Sequence, residues 1–295
     1  MELNLDIVTT PVQAAATVVL LRDGPAGLEV FLMKRHALSG VLGGAHVFPG
    51  GKVDALDAEL DMQAHLDQPL PQLHASLNEA DINERAAGAL YVAALREMFE
   101  ECGVLLAHGA RGEAPDAQRA AALLRQGQGF NEVLAQLALR LHTRSLAPWS
   151  RWITPASPSV MNRRFDTRFF VSAVPAGQEA VHDAHETTES LWLTPRDALQ
   201  RYWSGDISLA PPQTMTLAHL ARHAGVDSVL AAARGRQPPV VRPEPFDQEG
   251  MRLICYPGDA RHPVCEPAFP GPTRFFYHAQ KKRFEPVDGF DSLFG

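Results

Sequence analysis

Three glutamates lie within about one helical turn near the middle of the chain. Glu97, Glu100 and Glu101 are interleaved with apolar residues at steps of four and three, namely Tyr91, Leu95, Met98, Cys102 and Leu105. At roughly 100° per residue, these apolar residues form one stripe of a helix, and the glutamates share an arc that faces away from it. Like charges at this spacing cost a helix on the order of a few tenths of a kcal/mol per pair, and Arg96 offsets only part of that cost. The stretch therefore predicts a bound cation.

The side-chain chemistry indicates which cation this is. Carboxylate oxygens are hard ligands that suit Mg²⁺ or Mn²⁺, and these ions also keep several waters and bind substrate phosphate. Zinc prefers His or Cys, and Cys102 falls in the apolar stripe. The alternative is a solvated acidic helix face without a metal.

A glycine pair lies upstream of the glutamates, in the Phe-Pro-Gly-Gly segment at residues 48–51. Two glycines after a proline favour a tight turn and let backbone amides and carbonyls approach a ligand closely. The segment is not a Walker phosphate loop, because His46 stands in place of the first glycine and Val53 follows the lysine. Taken alone, the pair is more typical of a plain hairpin turn.

Together the two motifs resemble the box of the Nudix hydrolase family. The second half of that box reads Arg-Glu-U-x-Glu-Glu-x-Gly-U, with U a bulky apolar residue, and residues 96–104 match it without a gap. Gly51 is similar to the glycine that opens the box. At the distance of the family's first glutamate the chain has Asp57, which leaves the role of that position open.

The two halves of the box are separated by an insertion of roughly 30 residues, longer than an ordinary loop. A divided box of this kind after residues 44–51 is similar to the acyl-coenzyme A diphosphatase branch of the Nudix superfamily, the peroxisomal type in animals. Later segments also resemble that branch, namely residues 152–155, 164–170, 186–192 and 209–213. The resemblance covers residues 10–225 and implies cleavage of coenzyme A or its acyl thioesters at the diphosphate.

The resemblance also implies roles at the site. Glu97, Glu100 and Glu101 would bind Mg²⁺ or Mn²⁺, with a backbone carbonyl of Gly50 or Gly51 as a further ligand. Proton transfer requires a carboxylate that the metal does not saturate.

Glu97 is the first candidate for the base that accepts this proton, and Glu186, in a later loop, is the second. Arg96 is expected to orient a glutamate or to tie Asp57 to the glycine turn through charge-assisted hydrogen bonds.

Candidates for binding substrate are Arg35, Phe48, Gly50 and Arg164. Arg35 precedes the glycine turn and would contact a phosphate, unless it is a surface arginine at a strand end. Arg164, Asp166 and Arg168 alternate along a strand and so share a face. They form either an ion pair or a contact with the nucleotide end of the substrate.

The composition narrows the class of protein. Of 295 residues 45% are hydrophobic, enough for the core of one large domain or two small ones, and the net charge of −7 argues against a general nucleic-acid binder. Three cysteines fit a reducing compartment better than a disulfide framework. There is no N-terminal signal segment, no apolar run of membrane-spanning length and no C-terminal Ser-Lys-Leu. We therefore expect a cytoplasmic protein without membrane or nucleic-acid partners.

Strand and helix patterns alternate along the chain and predict an α/β fold, a Nudix-like mixed β-sheet sandwiched between helices. The Nudix domain is expected at residues 10–225, with helical insertions at about 58–83 and 113–143. A small β-rich C-terminal extension at residues 226–295 is expected to pack on it. The second insertion would form a lid or a homodimer surface, or pack on the core.

Several residues are expected to begin or end helices. Asp81 and Glu84 form a capping-box pattern that predicts the start of the glutamate helix near Ile82, and Gly103 predicts its end. Prolines at positions 69 and 71 are expected to break the helical stretches of the first insertion.

The sequence thus predicts a metal-dependent hydrolase that cleaves the diphosphate of a small nucleoside diphosphate derivative, coenzyme A or acyl-CoA first. One alternative substrate class is ADP-ribose or NADH. The other alternative is a Nudix-like module that binds a nucleotide without cleaving it. The intact glutamate trio argues against such a module, since binding alone does not need the charge repulsion.

Overall fold

The computed structural model describes residues 3–157, 163–183 and 187–295, so that Glu186 lies outside the described residues. Its strands are β1 (Gln13–Gly24), β2 (Gly27–Arg35), β3 (His46–Val47), β4 (Gly50–Lys52), β5 (Ala107–His108), β6 (Arg140–Leu141), β7 (Ala147–Ile153), β8 (Phe165–Ala173), β9 (Thr187–Leu193), β10 (Val240–Val241), β11 (Glu244–Gln248), β12 (Met251–Cys255), β13 (Arg274–His278) and β14 (Arg283–Pro286). A mixed sheet of eight strands runs in the order β10-β7-β8-β1-β2-β3, with β4 paired to β1 and β9 paired to β2.

The helices complete a mixed α/β arrangement that confirms the predicted fold class. They are α1 (Ala55–Glu59), α2 (Met62–His65), α3 (Leu70–Leu77), α4 (Glu84–Cys102), α5 (Ala117–Arg125), α6 (Phe130–Gln136), α7 (Pro195–Ser204), α8 (Pro211–Leu220) and α9 (Val226–Arg234). No helix in the described part of the chain combines the length and hydropathy that crossing a membrane requires.

The central strand β1 is buried on both faces because helices cover the sheet on each side. Ala16, Val18 and Leu20 pack into a core with α4, whereas Val19 and Leu21 pack into a second core with α7, α8 and α9. The alternation follows from the two-residue period of a strand. It places the glutamate helix α4 against one face of the sheet.

The ends of α4 test the capping predictions. The Asn83 side chain accepts a hydrogen bond from the Ala86 backbone N–H at 2.8 Å, so α4 begins at Glu84 and the predicted start near Ile82 is wrong. Asp81 does not cap the helix, and its carboxylate contacts Arg151 at 3.2 Å. Gly103 ends the helix in the left-handed conformation with φ +73°, which confirms the predicted stop.

The prolines of the first insertion begin a helix where the sequence predicted a break. Pro69 is the N-cap of α3, and Pro71 lies in its first turn. The backbone N–H groups in the first turn of a helix have no intrahelical acceptor. Proline, which lacks this N–H group, therefore loses no helical hydrogen bond there.

The C-terminal region confirms the predicted β-rich segment. Strands β11, β12, β13 and β14 form an antiparallel sheet in that order. The sequence did not predict α9, which packs against β7 and β8. Its buried residues Val226, Val229 and Ala233 stand at helical spacing, which is the signal that could have identified it.

A buried ion cluster ties the first insertion to the sheet and decides between the two readings of the alternating charges on β8. Arg168, which is buried, donates to both carboxylate oxygens of Glu79. Arg151 contacts Glu79 at 3.0 Å and Asp166 at 2.8 Å. Arg168 and Asp166 therefore belong to a structural ion pair.

Replacing Glu79 by Gln is expected to lower the free energy of unfolding by roughly 3 kcal/mol, because Arg151 and Arg168 lose their most buried counter-charge and must share Asp166. The matched control is Asp81→Asn, which also removes a partner of Arg151. The Asp81 side chain is 64% exposed against 4% for Glu79, so its loss should cost less than about 0.5 kcal/mol. Urea unfolding followed by tryptophan fluorescence measures both variants. Equal shifts would contradict the buried-pair argument.

Candidate active site

Two of the three glutamates reach the glycine turn. Helix α4 packs against β4 and β1, and Glu101 Oε2 accepts a hydrogen bond from the Gly50 backbone N–H at 2.7 Å. A Cβ atom on Gly51 would lie 2.4 Å from the Glu97 carboxyl carbon. Both carboxylates thus lie directly against residues 50 and 51. From the sequence, the glutamates and the glycine pair were linked only by their resemblance to the two halves of one family box.

The turn requires glycine at its two positions for different reasons. Gly50 has φ +153°, and a Cβ there would meet the Ala16 carbonyl oxygen at 2.4 Å, so side chains are excluded by the neighbouring strand. At Gly51 the space is taken by the Glu97 carboxylate.

Arg96 organises the glutamates from the other side. Its Nε and Nη2 atoms donate to the two carboxylate oxygens of Asp57 at 2.8 and 3.0 Å. Its Nη1 atom donates to Glu97 at 2.9 Å and to Glu100 at 3.0 Å. Nη2 also donates to the Lys52 carbonyl at 3.1 Å. Arg96 thus joins Asp57, two glutamates and the strand that carries the glycines, which is the contact pattern that the sequence predicted for it.

Asp57 is held in place from two directions. Besides the bidentate contact with Arg96, its Oδ2 atom accepts the Asp54 backbone N–H at 2.7 Å, within the capping box of α1. Asp57 is buried. The aspartate at the place of the family's first glutamate therefore serves as the counter-charge that fixes Arg96.

The three glutamates share one arc of α4, but their side chains point to two different places. At roughly 100° per residue Glu97 lies in the middle, Glu100 on the side of Arg96 and Glu101 on the opposite side. Glu97 and Glu101 line a cavity beside the glycine turn, whereas Glu100 lines a neighbouring groove with Arg96 and Asp57. Within the described residues, no three His, Cys, Asp or Glu side chains are arranged as a ready-made metal site.

The donor set that faces the glycine turn nevertheless fits a hard divalent cation. Glu97 and Glu101 offer carboxylate oxygens, which are hard ligands, and both lie against a glycine turn that has no side chains to obstruct an ion. Burial raises the pKa of Glu97, with Arg96 acting in the opposite direction. A buried carboxylate with a raised pKa gains from a nearby positive charge.

The cavity beside the glycine turn has a volume of about 520 Å³. Among the predicted site residues that line it are Arg35, Phe48, Gly50, Gly51, Glu97 and Glu101. Arg164 is not among the lining residues, and its Nε atom donates to the Thr154 carbonyl at 3.2 Å. Its neighbour Arg163 lines the cavity, and the substrate contact at Arg164 stays a prediction.

Other lining residues were not identified from the sequence as site residues. They include Lys52, Arg163, Gln213, Pro243, Ile254 and Tyr256. Lys52 follows the glycine pair directly, and Gln213 ends one of the segments that resemble the branch, so both had a local signal. The last three lie in the C-terminal region, for which no motif pointed to the site.

Comparison with known proteins identifies the family. Residues 9–220 match the family model of the NUDT19 Nudix domain. The acyl-coenzyme A diphosphatase NUDT19 of Xenopus laevis is 28% identical over 241 residues, which cover 70% of this chain and 63% of the relative. The protein of the same name from Gallus gallus is 30% identical over 243 residues, with 70% and 64% covered. The chain thus matches less than two thirds of the length of these relatives.

A solved structure is also similar to this chain. The NUDIX hydrolase from Alicyclobacillus acidocaldarius has a TM-score of 0.63 and 28% sequence identity, covering 78% of this chain and 98% of the other. The family match extends over most of the chain and includes the glycine turn, Arg96 and the three glutamates. This chain therefore belongs to the NUDT19 Nudix domain family of Nudix hydrolases.

Proposed function

We propose that this chain is a Nudix pyrophosphohydrolase that cleaves the diphosphate of coenzyme A or an acyl-CoA, with Mg²⁺ or Mn²⁺ as cofactor. The observation that carries the proposal is the approach of Glu97 and Glu101 to the glycine turn at the wall of one cavity. The relatives named acyl-coenzyme A diphosphatase support the choice of substrate.

Glu97 and Glu101 would hold the divalent ion together with a backbone carbonyl of Gly50 or Gly51, and Glu100 would bind at the edge of the site. When bound, the ion neutralises charge on the diphosphate oxygens and makes water a better nucleophile. Arg96 positions Glu97 through its hydrogen bond at 2.9 Å, while its contact with Asp57 keeps the guanidinium fixed.

Glu97 is also the residue that we propose as the general base. Burial raises the pKa of its carboxyl, and a base works best when its pKa lies closer to the working pH. Glu186 stays the second candidate and lies outside the described residues.

Positive side chains at the cavity favour a substrate with several phosphates. Arg35, Lys52 and Arg163 line the same cavity as the glutamates, and such cations pair with phosphate oxygens. Coenzyme A carries a 3′-phosphate in addition to its diphosphate. ADP-ribose and NADH carry only the diphosphate, so they offer one phosphate group fewer for these cations to bind.

Incubation with Mg²⁺ and a panel of coenzyme A, acyl-CoA, ADP-ribose and NADH tests the proposal. We expect the highest kcat/KM with coenzyme A or acyl-CoA, products that correspond to 3′,5′-ADP and a 4′-phosphopantetheine compound, and loss of turnover when EDTA is added. A higher kcat/KM for ADP-ribose would reject coenzyme A and acyl-CoA as the substrate. No turnover of any compound would favour a non-catalytic nucleotide-binding module.

The cytoplasmic location and the homodimer stay predictions. Cys102, Cys255 and Cys265 are free thiols, which suits a reducing compartment. Size-exclusion chromatography with light scattering measures the oligomeric state.

A further inference from the structure

One wall of the cavity comes from a part of the chain beyond the family match. Pro243, Ile254 and Tyr256 line the cavity, and all three follow residue 220, where the match ends. Ile254 belongs to β12 and Tyr256 directly follows this strand. Because residues two apart in an extended chain point to the same side, both face the cavity from the C-terminal sheet.

The floor of the cavity crosses four strands. Lys52 on β4 pairs with Ala15 on β1, Ala15 pairs with Thr167 on β8, and Thr167 pairs with Trp152 on β7. All four residues line the cavity. Neighbouring strands are about 4.8 Å apart, so this floor is roughly 14 Å long. The small side chains of Ala15 and Thr167 leave its middle open.

The two ends of this floor differ in chemistry. The β4 end carries the glycine turn with Glu97 and Glu101. The β7 end carries Trp152, which contacts Tyr256 at a ring distance of 6.0 Å and thereby meets the C-terminal wall. A diphosphate bound at the glutamates therefore leaves space for an extended group that reaches the C-terminal sheet.

The far end suits an aliphatic chain better than a nucleobase. Trp152 stacks on Phe269 with an interplanar angle of 21°, and Tyr256 makes edge contacts with both Trp152 and Phe275. Stacking a base needs an open ring face. Ile254 and Pro243 add aliphatic surface, and none of the three wall residues carries a charge.

We propose that the C-terminal sheet forms a specificity wall, made by Pro243, Ile254 and Tyr256, that receives an uncharged flexible chain attached to the diphosphate, with Ile254 as a specificity-determining residue. The pantetheine arm of coenzyme A, with its methylene and amide groups, has this chemistry. The inference rests on the proposed function and extends it, because it assigns one half of the substrate to a region outside the family match.

Ile254→Ala tests the wall, with Met251→Ala as the matched control. Met251 lies on the same strand but is exposed and does not line the cavity. We expect Ile254→Ala to raise KM for coenzyme A about tenfold with kcat changed by less than about twofold, because contact with a part of the substrate that does not react is lost. Inhibition by 4′-phosphopantetheine should weaken by the same factor, whereas inhibition by 3′,5′-ADP and the Met251→Ala kinetics should match the wild type.

Pro243→Phe provides a second variant if Ile254→Ala unfolds in a thermal melt. Pro243 is half-buried, and a larger side chain there fills the far end, so KM for coenzyme A should again rise. An unchanged KM for coenzyme A in the folded variants would overturn the proposed contact between the specificity wall and the substrate. The proposed hydrolysis of coenzyme A would still stand.

If the wild type does not cleave coenzyme A, the proposed function fails on its own. Calorimetric titration with 4′-phosphopantetheine then still tests the wall. No binding to the wild type, or equal binding to Ile254→Ala, would overturn it.

Discussion

Replacing Glu101 by Gln is expected to lower kcat/KM for diphosphate hydrolysis by at least about 100-fold. Glu101 is buried and accepts the Gly50 N–H at 2.7 Å, which holds its carboxylate at the glycine turn. Glutamine keeps the shape and one carbonyl acceptor but removes the charge that a divalent ion needs. Kinetics with coenzyme A over a range of Mg²⁺ concentrations measure the effect, and the apparent affinity for Mg²⁺ should fall together with activity.

The matched control is Glu100→Gln on the same turn of the helix. The Glu100 side chain is 38% exposed, bonds Arg96 at 3.0 Å and lies in the neighbouring groove. We therefore expect a smaller loss, of about tenfold. Equal losses in the two variants would contradict the separation of the glutamates that the structure shows. Full activity of Glu101→Gln would reject this residue as a metal ligand.

Most features that were predicted correctly depend on residues close together in the sequence. The apolar stripe follows from helical periodicity as far as Cys102, where α4 ends, and all of its members are buried, including Leu105 beyond the helix. Gly103 ended the helix because few other residues adopt its left-handed conformation at low cost. The hydrogen bonds between Arg96 and Asp57 join residues far apart in sequence. They were expected only because both positions belong to the family box.

The features that the sequence missed depend on contacts between distant parts of the chain. Asp81 and Asn83 are both good N-cap residues; Asn83 caps α4, whereas Asp81 contacts Arg151 on β7, a contact between residues far apart in sequence. Arg163, which lines the cavity, and Arg164 both precede β8, so the alternation along that strand did not distinguish them.

The separation of the glutamates has a similar cause. Helical geometry puts Glu97, Glu100 and Glu101 on one arc, with Glu100 on the side of Arg96. The glutamate motif does not contain the groove itself, which Glu100 shares with Asp57 on α1 and with residues of α5 and α6. The surroundings of each glutamate therefore depend on helices outside the motif.

Gly51→Ala is expected to lower activity by roughly 100-fold while leaving the fold nearly intact. The added Cβ would lie 2.4 Å from the Glu97 carboxyl carbon, so this carboxylate must move away from the turn. The obstructing atoms are the far end of a flexible side chain, and we therefore expect the free energy of unfolding to fall by less than about 1.5 kcal/mol. Coenzyme A hydrolysis and urea unfolding of the same preparation separate the two effects.

Gly40→Ala is the control that isolates this clash. Gly40 lines the same cavity, has no atom within 4 Å of an added Cβ and does not have a positive φ. An extra methyl group there should change kcat/KM by less than about threefold. Loss of activity in both variants would mean that the cavity tolerates no added volume, so the Glu97 argument would fail. Full activity of Gly51→Ala would show that catalysis does not need the Glu97 carboxylate where the glycine turn holds it.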